Sequence, residues 1–142
     1  MAEKLKILII EDNKPVRIVC DAGLSDSVFE KRFEENGTEA LETYTTWQPD
    51  IIILDLMLPG MSGFSILQEI RQERKDTKTA VVVASSISEK DTVVDVLKLG
   101  VQGYILKPFT HKDIAVKVLE SYKRMNPERA QAALASLESG KE

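Results

Sequence analysis

The chain has 142 residues, 43% of them hydrophobic and 30% charged, with a formal net charge of −4. This is the composition of one soluble globular domain with enough chain for its own core, and not that of a coiled coil, a disordered segment or a disulfide scaffold. The acidic balance argues against a nucleic-acid surface, which needs clustered Lys and Arg. Cys20 is alone and no Cys/His set has zinc spacing, which fits a reducing cytosol. No apolar signal segment opens the chain and no run is long enough to cross a bilayer.

Leu5-Lys6-Ile7-Leu8-Ile9-Ile10 reads as a buried strand ending at Glu11-Asp12-Asn13. Lys14-Pro15 opens a helix, with Pro where its missing N–H costs nothing. Val16, Val19, Cys20 and Gly23 fall on one face of that helix, and Gly23 with Ser25-Asp26-Ser27 ends it. Residues 28–34 alternate Phe29, Lys31, Phe33 with Glu30, Arg32, Glu34, the pattern of a strand at a charged sheet edge. Asn36 with Glu39 resembles a capping box for a helix that turns Ala40, Leu41, Tyr44 and Trp47 inward. Ile51–Leu54, between Pro49 and Pro59-Gly60, is a strand buried on both faces that delivers Asp55 at its end. Ser62-Gly63 starts a third helix with Ile66, Leu67 and Ile70 inward, followed by a solvated charge run from Glu69 to Lys78. Ala80–Ala84 is a fourth strand, ending at Ser85-Ser86. Ser88 and Asp91 are expected to cap a helix that buries Val93, Val96 and Leu97 and closes at Gly100. Gly103–Leu106 is a fifth strand, ending at Lys107-Pro108. Thr110 with Asp113 caps a long helix burying Ala115, Val118, Leu119 and Tyr122, and His111 at its start reads as surface. Asn126-Pro127 breaks that helix; residues 128–137 form a short extra one, and the last five residues are expected to fray.

Strands alternating with helices predict a parallel sheet covered on both faces. In such a sheet the C-terminal strand ends share one edge, where ligands bind. That edge would gather Glu11, Asp12, Asp55, Ser85 and Lys107 from positions far apart in the chain. Three close carboxylates repel, and a hard divalent cation relieves this; Mg²⁺ prefers a few carboxylate oxygens while keeping several waters. A nucleophilic carboxylate forms an aspartyl phosphate, and phosphoryl transfer needs mainly positioning and charge neutralisation, which Lys107 and a Ser85 hydroxyl would add. Taken singly, each residue has an ordinary reading: a turn Asp, acids favouring a helix N-terminus, a solvated lysine. Their convergence favours the phosphoacceptor.

These residues resemble the receiver domains of two-component response regulators, the chemotaxis type included. The resemblance covers about residues 4–124. It rests on Ile7-Leu8-Ile9-Ile10-Glu11-Asp12, Asn36-Gly37-Thr38-Glu39-Ala40-Leu41, Pro49-Asp50 through Leu54-Asp55 and Leu58-Pro59-Gly60-Met61-Ser62-Gly63. Ser85, Leu99-Gly100 and Gly103-Tyr104-Ile105-Leu106-Lys107-Pro108-Phe109 complete it, with 30 positions from Asp55 to Ser85 and 52 to Lys107. The resemblance implies a flavodoxin-like (βα)5 doubly wound α/β fold, five parallel strands in order 2-1-3-4-5, over residues 1–125, with 126–142 a short helical extension or linker. It implies that Asp55 takes a phosphoryl group from a sensor histidine kinase, a histidine phosphotransfer protein or a small phosphodonor. Glu11, Asp12, Asp55 and the Met57 backbone carbonyl would hold Mg²⁺ or Mn²⁺, and Lys107 would contact the phosphoryl group. Ser85 and Tyr104 match the switch pair, and the Lys107-Pro108 bond is expected cis. Output would pass through the fourth helix, fifth strand and fifth helix of a cytoplasmic bacterial signalling protein, a monomer or weak phosphorylation-dependent dimer.

The chain departs from the family pattern at several places. Glu11 replaces the commoner Asp, so its longer arm would reach a metal through water. Ser86 stands where a small Ala is usual, and Met57 and Ile87 occupy positions that tune phosphate lifetime. Lys31 and Glu34 fall where an apolar and a small residue are usual. Four readings stay open: a free-standing or relay module; a receiver excised from a longer regulator; an aspartyl-phosphate phosphatase, whose second acid would stand at Met57; and a receiver that works without phosphate.

Overall fold

The computed structural model describes residues 3–139. Five strands, β1 (Leu5–Ile10), β2 (Phe29–Glu34), β3 (Ile51–Leu54), β4 (Ala80–Ser85) and β5 (Gly103–Leu106), form one parallel sheet in the order β2-β1-β3-β4-β5. The connecting helices are α1 (Lys14–Gly23), α2 (Gly37–Trp47), α3 (Gly63–Gln68), α4 (Lys90–Lys98) and α5 (His111–Tyr122), and α6 (Pro127–Ser139) follows. The flavodoxin-like order expected from the resemblance is the one observed.

Successive side chains of a strand point to opposite faces, so each central strand feeds two cores. Ile7, Ile9, Ile51, Ile53 and Val82 pack with Cys20 and Leu24 of the first crossover, Ile114 and Val118 of α5, and Ala130 of α6. Leu8, Ile10, Ile52, Leu54 and Val83 pack with Ala40, Tyr44 and Trp47 of α2, Ile66 and Leu67 of α3 and Val96 of α4. Each fully buried aliphatic side chain contributes about 1.5–3 kcal/mol, so these apolar runs, and not the charged edge strand β2, hold the sheet together. Cys20 lies wholly inside, and burial foremost pushes its thiol up to about 12, the behaviour of an inert core residue.

Residues 20–35 follow from two unusual side chains. A Cβ on Gly23 would stand 2.1 Å from Ile114 Cγ2 and 2.4 Å from the His111 carbonyl oxygen, so glycine lets α1 press against α5. Lys31 lies where an apolar residue is usual, and its ammonium turns back to the end of α1. It donates to the carbonyls of Leu24 (2.7 Å) and Asp21 (3.0 Å) and pairs with the Asp21 and Asp26 carboxylates. Burial alone would lower its pKa, but these acceptors raise it. The lysine thus caps a helix that has no cationic residue of its own in its last turn. Glu34, the other unusual residue, accepts a hydrogen bond from Thr43 of α2.

Four expectations need correction. Helix α4 begins at Lys90 with Glu89 at the N-cap and no side-chain cap bond, so Ser88 and Asp91 do not form the capping pair. The first helical bond runs from Val93 N–H to the Glu89 carbonyl (3.0 Å), so the helix opens one residue later than a Ser88 cap would require. Leu97 is 43% exposed, since α4 turns Val96 to the core and leaves Val94 and Leu97 outside. At the other end, Glu138 and Ser139 are helical; residues 140–142 of the segment expected to fray lie outside the described residues.

The stretch Glu69–Lys78 is not simply solvated. After α3 the chain widens into a π-helical turn over Glu69–Glu73, which rotates Arg71 inward. Its guanidinium donates to the carbonyls of Gly100 (2.9 Å), Asp76 (2.8 Å) and Thr79 (2.7 Å) and to Gln102 Oε1 (2.9 Å). The Asp76 carboxylate accepts from the Tyr44 and Thr79 hydroxyls and from the N–H groups of Lys78 and Thr79. Burial works to raise its pKa, yet these donors hold it down to about 2. At the same N-terminal edge of the sheet, Asp50 accepts from Lys6 N–H and pairs with Arg129 of α6 at 2.8 Å.

Arg71→Met should cost about 2–3 kcal/mol in urea unfolding, because several half-buried carbonyls lose their donor together. A loss below about 0.5 kcal/mol would mean water replaces the guanidinium freely. Asp76 has a depressed pKa, so its contribution is present above the ordinary value of 3.8 and is lost as pH falls toward about 2. After allowance for solvent screening it is on the order of 1 kcal/mol. The stability gap between wild type and Asp76→Asn should therefore close between pH 5 and pH 2; a gap unchanged over that range contradicts the assignment.

Candidate functional site

Sheet hydrogen bonds themselves position the site. Each relevant strand extends its ladder one residue beyond its end: Glu11 N–H donates to Glu34 (3.0 Å), Asp55 N–H to Ile10 (3.0 Å) and Lys107 N–H to Ser85 (2.9 Å). The functional side chains therefore start from rigid backbone at the carboxyl edge. Helix α3 closes in behind Asp55: a Cβ on Gly63 would lie 2.4 Å from the Asp55 carbonyl oxygen and 2.6 Å from Leu56 Cα. Only glycine permits that approach.

Glu11 and Asp55 are 2% and 5% exposed, whereas Asp12 is open to solvent. One carboxylate oxygen from each of the three lies within 4.8 Å of the others. Lys107, on a half-buried side chain, puts Nζ 2.6 Å from Glu11 Oε1 and 3.3 Å from Asp55 Oδ2. The remaining oxygens of these two acids accept backbone N–H groups, Asp55 Oδ1 from Met57 (3.0 Å) and Glu11 Oε2 from Asn13 (3.2 Å). Burial pushes the Glu11 carboxyl up to about 7, with the Lys107 hydrogen bond opposing and the Asp55 charge adding to the rise. Lys107 is shifted upward, because its two acidic partners outweigh its own burial. One ammonium pairs with two of the three carboxylates, and the third, Asp12, is exposed, so the cluster retains an excess of negative charge. All its donors are hard oxygens and the most accessible belongs to Asp12, which fits a small divalent cation.

The other expected residues surround this core. Ser85 is buried, and its Oγ accepts the Ile87 N–H at 3.1 Å. The half-buried Tyr104 donates its hydroxyl to the carbonyl of the same Ile87 at 2.7 Å. Serine and tyrosine are therefore tied through one residue of the loop before α4. The Lys107-Pro108 bond is cis. Ser86 is exposed and lines, with Pro15, Val16, Val19, Pro108 and Phe109, an open apolar recess of about 380 Å³ beside Lys107. The Met57 side chain is 68% exposed. Sequence reasoning missed Asn13 and Arg17. Asn13 N–H binds Glu11 while its side chain caps α1, and Arg17 donates to the Glu11 carbonyl at 3.0 Å. The only signal for either was a position just after the acidic pair.

A doubly wound domain with a cation-type acid cluster and an anion-type lysine at its switch edge is a narrow class of protein. The response regulator receiver domain model matches residues 7–119, and the chain belongs to that family. The chemotaxis protein CheY of Listeria monocytogenes is 36% identical over 121 residues, covering 84% of this chain and 97% of that protein. Among solved structures, the receiver domain of a Francisella response regulator superposes with a TM-score of 0.76 at 26% identity, covering 85% of this chain and 98% of that one. The chain spans about half the length, 50% and 47%, of two relatives described as transcriptional regulators, from Porphyridium aerugineum and Guillardia theta. Among the described residues, no helix is long and apolar enough to cross a membrane.

Lys107→Met leaves the buried Glu11 and Asp55 carboxylates without their cation. It should destabilise the fold at neutral pH by about 2–4 kcal/mol, and millimolar Mg²⁺ should return part of that loss. A variant as stable as wild type in urea would show that the lysine does not balance the acids.

Proposed function

We propose that this chain is a phosphorylation switch whose phosphoacceptor is Asp55. The reading rests on one observation: a nearly buried Asp55 carboxylate shares Lys107 with Glu11 while an exposed Asp12 oxygen lies within reach of both acids. An Asp55 oxygen attacks the phosphorus of a phosphohistidine or small acyl phosphate. The bond from phosphorus to the donor's nitrogen or oxygen breaks, and the donor leaves with that electron pair. Lys107 then moves its charge toward the transferred phosphoryl oxygens, and the Ser85 hydroxyl donates to another of them. Asp12, Asp55 and the Met57 carbonyl, with Glu11 behind them, would hold Mg²⁺ or Mn²⁺, which would further neutralise phosphoryl charge.

Moving Ser85 toward the phosphoryl group releases the Ile87 N–H that it now holds, and Ile87 is also the acceptor of Tyr104. The signal is a shift between two populated arrangements of this loop, read by partners. Exposed Val94 and Leu97 of α4, Leu106 of β5 and Val116 of α5 support that output face. Phosphate would arrive from a histidine kinase or histidine phosphotransfer protein in a cytoplasmic system. The chain acts on itself and not on other substrates: Met57 offers no second acid for a phosphatase. Output would pass through a separate partner or through a further domain: the chain covers 97% of the Listeria monocytogenes chemotaxis protein and about half of the two transcriptional regulators.

Acetyl phosphate with Mg²⁺ should place one phosphoryl group on Asp55, seen by mass spectrometry after borohydride trapping. Asp55→Asn should abolish this, and Mg²⁺ removal should slow it at least a hundredfold, the scale of a lost positioning or charge-neutralising element. Undiminished uptake by Asp55→Asn would refute the site.

A further inference from the structure

Glu11 is the most buried of the three acids, and both its oxygens are taken, one by Lys107 and one by Asn13 N–H. Its place therefore decides where Lys107 stands between Glu11 and Asp55. The residue that fixes the Glu11 backbone is Arg17, one turn into α1. Nη1 donates to the Glu11 carbonyl at 3.0 Å, and Nη2 pairs at 2.8 Å with Glu35, just after β2. The Arg17 side chain is only 18% exposed although Glu35 is 65% exposed, so the guanidinium lies inward and its fork spans two elements. With the ladder bond from Glu11 N–H to Glu34, the peptide groups flanking Glu11 are held on both sides. Asp12 is the next residue in the chain, and its backbone is fixed by the same clamp.

We propose that Arg17 is a positioning residue of the phosphoacceptor site: its two-pronged clamp on the Glu11 carbonyl and Glu35 sets the Glu11-Asp12 turn and, through Glu11, the position of Lys107. This rests on the reading of the site given above. A planar fork reaches two acceptors at fixed spacing, whereas an ammonium supplies the same charge from one point. The clamp therefore predicts that lysine will not substitute. Partners that orient metal-binding acids typically control affinity by an order of magnitude or more.

The test uses the whole chain with Arg17→Met, which keeps an apolar stem, and Arg17→Lys. Two quantities are read: Mg²⁺ affinity by calorimetry, and the metal-free amide resonances of Asp12 and Asn13. Both variants should bind Mg²⁺ roughly tenfold more weakly and move the Asp12 and Asn13 amides, with thermal midpoints close to wild type. Full recovery by Arg17→Lys would replace the clamp with a simple charge effect and overturn the proposal. Unchanged amides and affinity in Arg17→Met would overturn it as well, as would amide changes spread over the whole domain with a collapsed midpoint in both variants. A wild-type protein that binds Mg²⁺ yet takes no phosphoryl group on Asp55 would sink the phosphoacceptor reading alone, since the amide and affinity comparison does not depend on transfer.

Discussion

The acidic site depends on one lysine reaching across its own sheet. Lys107 follows β5, the outer strand, while Glu11 and Asp55 follow β1 and β3, with β4 lying between. Its stem lies along this edge and its ammonium supplies the charge that lets two almost fully buried carboxylates coexist. Buried acids without a cation would take up protons or open the edge to water. The cost appears in Glu11, which burial pushes up to about 7 even with the lysine at 2.6 Å. The site therefore carries more acid than base, a charge balance that suits a small divalent cation.

The opposite edge of the sheet is built in the reverse way. There Asp50 and Asp76 are each satisfied by several donors, and Arg71 and Arg129 close the gaps between elements. Burial and the Asp55 charge push Glu11 up to about 7, whereas four hydrogen-bond donors overcome burial at Asp76 and hold it down to about 2. One edge thus contributes stability and the other holds unspent charge. The Ile87 loop, tied by one bond to Ser85 and one to Tyr104, is the thin connection between that charge and the outer face.

Much of this was legible in the sequence because it follows from local rules. The apolar runs Ile7–Ile10 and Ile51–Leu54 read as strands covered on both faces, and the alternation in Phe29–Glu34 suits a sheet edge. The acids and lysine stood out because strand ends converge in a parallel sheet. What escaped was set by tertiary contact. Arg71 looked like one charge in a solvated run until a π-helical turn placed it against carbonyls from two loops. Lys31 looked like a misfit until its amine met the end of α1. The Ser88-Asp91 pair matched a cap in pattern, but the first helical bond forms one residue later, at the Glu89 carbonyl. Arg17 carried no mark beyond its distance from Asp12.

If the ion pair organises the site, Glu11 and Lys107 are energetically one unit. A double-mutant cycle with Glu11→Gln, Lys107→Met and the pair, followed by urea unfolding at pH 7.5 without divalent cations, measures this directly. A favourable coupling of about 1–3 kcal/mol is predicted, with the double variant more stable than Lys107→Met alone. Additive effects, with a coupling indistinguishable from zero, would contradict the view that this ion pair organises the site.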